Sequence, residues 1–339
     1  MTRTDIRLAL PSKGALQNDT LDFLENCGLK VRRPNPRQYV AHISGLGNVT
    51  VIFQRPGDIV VGVRQGSLDF GITGYDILAE KAFGHIGSTV LVLHEQLGYG
   101  PCSLNLAVPE ETDIQTMADL AAWAKERANN DYPLRVATKF PKLTNEFLEK
   151  HHIKPTRLIT AEGTLEIAPA IGYADLIADL VSTGITLRDN HLRQIADGEI
   201  LFSQACLIAN RNALKTRPDV LEVARTLLEY IEAHLRAEGS YLITANVRGR
   251  SPQAIADLMF GQQTIGGLQG PTISQVVSPQ VLTGEANWYA VNIVVSKSKL
   301  VSAIAELRSI GGSGVIVAPC TYIFEEEPAR YRAMVEMMG

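Results

Sequence analysis

Two α/β lobes followed by a smaller α+β domain is the fold class this sequence predicts, and three observations predict it. Residues 49–78, VTVIFQRPGDIVVGVRQGSLDFGITGYDIL, alternate strand and helix patterns, and βαβα alternation argues for a parallel sheet. Leu97-Gly98-Tyr99-Gly100-Pro101 stands between two strand-like runs and reads as a crossing into a second lobe. Beyond Gly239 the order becomes β-α-β-β-α-β, the ferredoxin-like arrangement.

The chain has 339 residues, 45% hydrophobic and 20% charged, which suits two or three domains and a sizeable core. A net charge of -4 without a Lys/Arg block gives no footprint for nucleic acid. No run approaches the ~20 apolar residues of a membrane span, and MTRTDIRLALPSKG lacks a secretory h-region, so the cytoplasm is expected. Cys27, Cys102, Cys206 and Cys320 are scattered, with no CxxC and no His at ligand spacing. Zinc is therefore not expected, and free thiols in a reducing compartment are.

Ile6–Leu10 predicts the first strand, broken by Pro11-Ser12-Lys13-Gly14. Asn18–Cys27 then predicts a helix, with Leu21, Leu24 and Cys27 on one face and Gly28 at its stop. Lys13 and Gly14 make a candidate anion site, although neither GxxxxGK[ST] nor GxGxxG occurs. A structural loop with a solvated Lys13 fits the same residues. Val49–Phe53 is a strand, and Pro56 and Asp58 open a short helix ended near Gly66. Leu68–Thr73 is a strand, and Gly74-Tyr75-Asp76 opens a helix. Arg55, Gly71, Thr73 and Gly74 thus fall at the carboxyl ends of strands, where α/β sheets bind ligands. A surface ion pair is the equal alternative for Arg55, and Asp58 and Asp76 read as helix caps.

Leu91–His94 and Leu104–Val108 predict strands on either side of the crossing. Met117–Ala128 predicts a helix, Leu134–Ala137 a strand, and Phe140–His151 a helix with Pro141 near its start. Strands around Ile200 and Ala205–Ala209 return to the first lobe and leave a cleft between the two. Thr216–Gly239 reads as one long helix. Strands follow at Tyr241–Val247, Pro271–Val277, Tyr289–Val295 and Val315–Val317, with helices at Pro252–Met259 and Ser298–Ser309. Glu325–Glu327 and the last residues read as a solvated tail, with room for a short helix.

The stretch with the most chemistry is Glu166–Leu187, EIAPAIGYADLIADLVSTGITL. An apolar strand empties into Ser182-Thr183-Gly184-Ile185-Thr186, where hydroxyls and backbone N–H groups can converge on phosphate oxygens. Glu166, Asp175 and Asp179 lie upstream, as carboxylates for sugar hydroxyls. The alternative is an ordinary strand and helix start, with Ser182 or Thr183 as its cap.

Glu166-x5-Gly172-x-Ala174-x2-Ile177-x-Asp179-Leu180-x2-Thr183-Gly184-x-Thr186-Leu187 resembles the signature of ATP phosphoribosyltransferases. LALPSKGAL, RPGDIVVGVRQGSLDFGITGYDIL, Ala205–Asn210 and AELRSIGGSGVIVAP extend the resemblance over nearly the whole chain. The third domain resembles that of the family's long form. The resemblance implies a type IV phosphoribosyltransferase: two lobes like periplasmic binding proteins, with a histidine-sensing regulatory domain. It implies lobe I at 1–103 with 203–238, lobe II at 104–202, and the regulatory domain at 239–339.

The reaction implied joins the phosphoribosyl group of phosphoribosyl pyrophosphate to N1 of ATP, releases pyrophosphate, uses Mg²⁺, and opens histidine biosynthesis. Residues carried over by position are Glu166, Asp175, Asp179 and Ser182–Thr186 for phosphoribosyl pyrophosphate. Lys13, Gly14, Arg55, Thr73 and Gly74 are carried over for ATP and pyrophosphate, and Thr272, Ser274 and Ala318 for regulatory histidine. No protein side chain is assigned as a metal ligand. A homo-hexamer built from dimers is implied. Ala15 and Ser103 stand where family members commonly carry arginine, and the chain is lengthened around Trp123–Pro133 and Val277–Trp288.

Overall fold

The computed structural model describes residues 4–35, 37–161, 163–277 and 287–338. It separates into two compact units, Met1–Leu228 with Pro328–Gly339, and Glu229–Glu327.

In lobe I of the first unit the elements run β1 (Ile6–Pro11), α1 (Ala15–Asn26), β2 (Val31–Arg32), β3 (Val40–Ile43), β4 (Leu46–Gln54), α2 (Pro56–Gln65), β5 (Phe70–Gly74), α3 (Tyr75–Lys81) and β6 (Val90–His94). The chain then crosses to lobe II: β7 (Cys102–Pro109), α4 (Met117–Asn129), β8 (Leu134–Thr138), α5 (Pro141–Lys150), β9 (Thr156–Thr160), β10 (Leu176–Val181), α6 (Ile185–Asp189) and β11 (Leu192–Ser203). It returns through β12 (Ala205–Asn210), α7 (Arg211–Thr216) and α8 (Pro218–Ala237).

The lobe I sheet has the order β2-β3-β4-β1-β5-β12-β6, with β4, β1 and β5 parallel. The central strands β1 and β5 are buried nearly throughout because both faces are covered, and Leu8, Ala9 and Leu10 of β1 are fully buried. The β2–β3 edge was not expected. Its strands are short and separated by a polar, proline-containing segment, a pattern of edge strands that no apolar periodicity announces. The lobe II sheet has the order β11-β7-β10-β8-β9. There β10, β8 and β9 are parallel and β7 runs against both its neighbours.

Two expectations about local structure are met in outline and one, for Asp76, is corrected. The long helix expected over Thr216–Gly239 is α8, Pro218–Ala237, and the separate helix α7 ends at Thr216 because Arg217 is extended (φ -125, ψ 102) just before Pro218, as the residue before a proline prefers to be. The last residues form the short helix, Ala329–Met338, and it is not wholly solvated, since Met334 is only 1% exposed. Asp76 does not cap α3; it is buried and bonded to Ser203.

The second unit contains the distal part of α8, then β13 (Ser240–Arg248), α9 (Pro252–Phe260), β14 (Thr272–Gln275), β15 (Trp288–Ser296), α10 (Leu300–Ser309) and β16 (Gly312–Pro319). Its antiparallel sheet has the order β14-β15-β13-β16, the ferredoxin-like arrangement the element order predicts. Ile243, Ala245, Val247, Val291 and Ile293 alternate onto the face that packs with Ile255, Met259, Ala303 and Leu307 of the helices. Of the lengthened segment at Val277–Trp288, residues 278–286 lie outside the described residues. The last helix, α11 (Ala329–Met338), belongs to the first unit. The second compact unit is thus 229–327, where the sequence suggested a third domain at 239–339.

Candidate active site

The carboxyl ends of β4, β1 and β5, neighbours in the lobe I sheet, carry Arg55, Lys13 with Gly14, and Thr73 with Gly74. In lobe II the adjacent carboxyl ends of β8 and β10 carry Lys139 and Ser182–Thr186. The two crossing segments leave from these same edges. Ala205 pairs with Gly74, and Ser103 pairs with Val181. Both ligand-bearing edges therefore open on one crevice.

The crossing is bonded tightly. Leu97 N–H donates to the Ala205 carbonyl at 3.0 Å, and Ala205 N–H to that of Tyr99 at 3.1 Å. The Ser203 hydroxyl donates to Asp76 Oδ1 at 2.7 Å and accepts the Asp76 N–H at 2.9 Å. Burial pushes the Asp76 carboxyl up, against the lowering pull of the Ser203 hydroxyl and nearby N–H groups. A Cβ on Gly74 would stand 2.4 Å from Asp76 Oδ1, so glycine is required here by close approach of the carboxylate. Thr73 is fully buried and its hydroxyl donates to the Pro56 carbonyl. Thr73 is thereby committed to the protein, a correction to its expected place among ligand groups.

Lys13 and Arg55 are exposed and make no ion pair with a described residue. The ion-pair alternative for Arg55 is thus not what the structure shows. Gly14 begins α1 at φ 75, ψ -171 with open space at its Cβ position, a conformation essentially restricted to glycine. Ala15 is the first residue of α1, exposed beside Lys13.

The Ser182–Thr186 loop is not a capped helix start. The N-cap is Gly184, in the left-handed region at φ 71, and no side chain caps α6. Among the described residues the hydroxyls of Ser182, Thr183 and Thr186 have no hydrogen-bond partner, and Ser182, Thr183, Ile185 and Thr186 are exposed.

Glu166, in a 3₁₀ turn (Leu165–Ile167), and Lys139 are close enough to Asp179 to act on its charge. Burial pushes the Asp179 carboxyl up and Glu166 adds to the rise, while the Leu180 N–H and the Lys139 ammonium pull the other way. Asn105, 4% exposed, lies opposite Asp179 in the strand pairing and donates to the Ser103 hydroxyl at 2.7 Å. Asn105 was not picked out as a site residue, and Lys139 only as a cation that could stand in, with Arg55 and Lys142, for the arginines missing at Ala15 and Ser103. A polar side chain inside the apolar run LNLAV and a lysine closing a strand were the available signals.

Asp175 does not belong with this group. It precedes β10, whereas the loop follows β10, and at about 3.3 Å per residue the two are roughly 20 Å apart. Its carboxylate accepts from Arg127 Nη2 at 2.6 Å, Arg135 N–H at 2.8 Å and Arg135 Nη2 at 3.0 Å. The lengthened segment near Trp123 is the end of α4 and its turn, and it supplies Arg127.

In the second unit, Thr272 and Ser274 share a face of β14, and Thr272 borders a cavity of about 260 Å³ with Leu242, Asn292, Phe324 and Glu325. Ala318 sits on β16, three strand positions from β14, roughly 14 Å away at about 4.8 Å per strand, and does not line that cavity. Among the described residues no group of three or more His, Cys, Asp or Glu is placed to hold a metal, and no helix is long and apolar enough to cross a membrane.

A family model for ATP phosphoribosyltransferase matches residues 55–233, and one for the HisG C-terminal domain matches 237–322. ATP phosphoribosyltransferase 1, chloroplastic, of Arabidopsis thaliana is 43% identical, covering 99% of this chain and 82% of its own length. The ATP phosphoribosyltransferase of Methanothermobacter thermautotrophicus is 35% identical over 93% of this chain and 97% of its own. A chain from the ATP phosphoribosyl transferase (HisG:HisZ) complex of Thermotoga maritima superposes with a TM-score of 0.51 at 26% identity, covering 67% of this chain and 98% of that one.

Proposed function

Because the chain belongs to the ATP phosphoribosyltransferase family, whose reaction is the first step of histidine biosynthesis, we propose that N1 of ATP attacks C1 of phosphoribosyl pyrophosphate in the crevice between the lobes. The C1–N1 bond forms as the C1–O bond breaks, and pyrophosphate leaves with the bonding pair. The nucleophile is a ring nitrogen with its own lone pair, so no general base is assigned. Positioning and charge stabilisation supply the rate.

The observation that carries this reading is the Ser182–Thr186 loop, with uncommitted hydroxyls at the end of β10, facing a crevice whose other edge bears Lys13 and Arg55. In this reading Ser182, Thr183, Gly184, Ile185 and Thr186 hold the 5-phosphate. Glu166 and Asp179 accept the ribose hydroxyls and favour cationic character at C1. Lys13, Gly14, Arg55 and Gly74 face the pyrophosphate and triphosphate. Lys139 and Arg55 offset the cations missing at Ala15 and Ser103. Glu166 and Asp179 are the carboxylates that would face a bound Mg²⁺, which would supply neutralisation of the leaving-group charge. The test is pyrophosphate release: it requires ATP, phosphoribosyl pyrophosphate and Mg²⁺ together, and release without ATP refutes the transfer.

Feedback inhibition by histidine belongs to the same reading. Its site is centred on Thr272 with Asn292 and Glu325, whose amide and carboxylate suit an amino acid's polar ends, and extends to Ser274. Titrated histidine is expected to inhibit the wild type, and T272V to weaken that inhibition. An insensitive wild type rejects the regulatory role. A homo-hexamer of dimers is the assembly we propose, checked by sedimentation against the mass of six 36.9 kDa chains. The four free thiols support a reducing compartment. The cytoplasm is our proposal, although the Arabidopsis relatives are named chloroplastic.

A further inference from the structure

We propose that Glu80 is a positioning residue that fixes the two lobes relative to each other, so that a ligand spanning both feels its loss and a ligand held by one does not. The inference rests on the reading of the crevice given above. Glu80 lies on α3 of lobe I, yet it is 4% exposed, and its carboxylate accepts the N–H groups of Lys142 at 3.2 Å and Leu143 at 3.1 Å. Those donors are the second and third residues of α5, in lobe II. That helix starts with Pro141 and has no capping side chain and no acid in its own first turn. A helix start leaves N–H groups without partners and carries the positive end of the dipole. Glu80 therefore caps α5 from the other lobe.

The surroundings make this contact a seam. Ile77, three residues before Glu80, packs against the cores of both lobes. The Lys142 ammonium stands 6.0 Å from the ring centroid of Phe83, across the same boundary. Parting the lobes here would strand a buried carboxylate and two helix N–H groups, so motion is directed elsewhere. The stretch entering α5 is itself held: Phe140 is buried and its N–H donates to Thr138 Oγ1 at 2.9 Å. That stretch contains Lys139, whose charge acts on Asp179. The other end of α3 begins at Gly74 and is tied to the crossing by Asp76 and Ser203. One seven-residue helix thus links the lobe I ligand edge to Lys139 and Asp179 in lobe II.

Calorimetric titration of the full chain with Mg²⁺ present tests the role. Ribose 5-phosphate probes the Ser182–Thr186 loop alone, and phosphoribosyl pyrophosphate also reaches Lys13 and Arg55. E80Q is expected to weaken phosphoribosyl pyrophosphate about tenfold, the change that roughly 1.4 kcal/mol makes, and to leave ribose 5-phosphate within about twofold. E80D keeps the charge on a shorter arm; it is expected to fall between, and it stands in if E80Q does not fold. In turnover, KM for phosphoribosyl pyrophosphate should rise more than kcat falls. Wild-type affinity for both ligands, or equal loss for both, overturns the positioning role. A wild type that binds neither ligand rejects the reading of the crevice itself.

Discussion

Replacing Asp175 with alanine is expected to lower thermal stability and leave the affinity for phosphoribosyl pyrophosphate unchanged, the reverse of what a sugar ligand would do. The carboxylate side chain is 9% exposed, while its partners Arg127 and Arg135 are 31% and 35% exposed. Removing one partner of a buried pair costs about 3–5 kcal/mol. The arginines are partly wet and can recover water, so the lower end, about 3 kcal/mol, applies. For a unit of this size each kcal/mol moves the midpoint by about 2–4 °C, so a fall of roughly 6–12 °C is expected in the catalytic transition.

The pH dependence has a definite sign. Burial by itself pushes the Asp175 carboxyl up, but the Arg135 side-chain and backbone hydrogen bonds and the Arg127 charge outweigh it and hold the group below its usual value. Its stabilisation is therefore complete above an unfolded carboxyl pKa of about 3.9 and is lost as the pH falls through the folded value. The stability gap between wild type and D175A should narrow in acid. Calorimetry of both proteins at pH 7 and at about pH 2.5, well below the unfolded carboxyl value, with KM measured at pH 7, makes the test. A tenfold rise in KM with an unchanged midpoint would refute the assignment.

D179N should behave in the opposite way: loss of a charge-assisted contact worth about 1.5–3 kcal/mol raises KM for phosphoribosyl pyrophosphate tenfold or more. Because the folded Asp179 carboxyl is raised, ionising it at neutral pH costs stability, so the D179N midpoint should be equal or higher. G184A places a side chain at φ 71, a strain of about 1–2 kcal/mol; the loop should shift, and the ribose 5-phosphate titration should weaken. Folded protein treated with iodoacetamide at pH 8 should label Cys102 and Cys320 first. Cys27, whose thiol burial pushes up to about 12, and buried Cys206 should react only after unfolding. Mass spectrometry of the labelled peptides reads the order.

The sequence disclosed most where local pattern and chemistry coincide. An apolar strand followed by STG and a threonine is legible as strand and loop, and the structure leaves those hydroxyls uncommitted. The order of elements beyond Gly239 predicted the antiparallel sheet because each strand alternates between core and solvent. Asp175 and Thr73 were misread because proximity in sequence stood in for proximity in space. Asp175 is four residues from Asp179, yet a strand carries the chain away from it. Thr73 sits at a strand end but turns its hydroxyl to the Pro56 carbonyl. Asp76, Glu80 and Asn105 owe their roles to partners 127, 62 and 2 residues away. The long-range bonds of Asp76 and Glu80 join segments that no periodicity relates. The edge strands β2 and β3 were missed because strands so short and polar bury too little to leave a pattern.

The terminal helix changes what can be removed from this enzyme. Residues 229–327 lie between Leu228 and Pro328 of the catalytic unit, so the second unit is an insertion and not an appendage. The α11 segment is fastened to lobe I: Arg330 pairs with Glu95 at 3.2 Å, Arg211 Nη2 donates to the Met337 carbonyl at 2.9 Å, and Met334 is buried. The HisG C-terminal model ends at residue 322, short of this helix. A stop codon after Gly239 would therefore do more than delete the second unit. It would strip α11 from β6 and bare the Met334 seat, and Glu95, at the start of the crossing between lobes, would lose its arginine. A catalytic core cut that way carries a second lesion in the hinge, and its altered kinetics would be charged to lost regulation. An internal deletion that rejoins the two catalytic pieces is the cut that respects the fold.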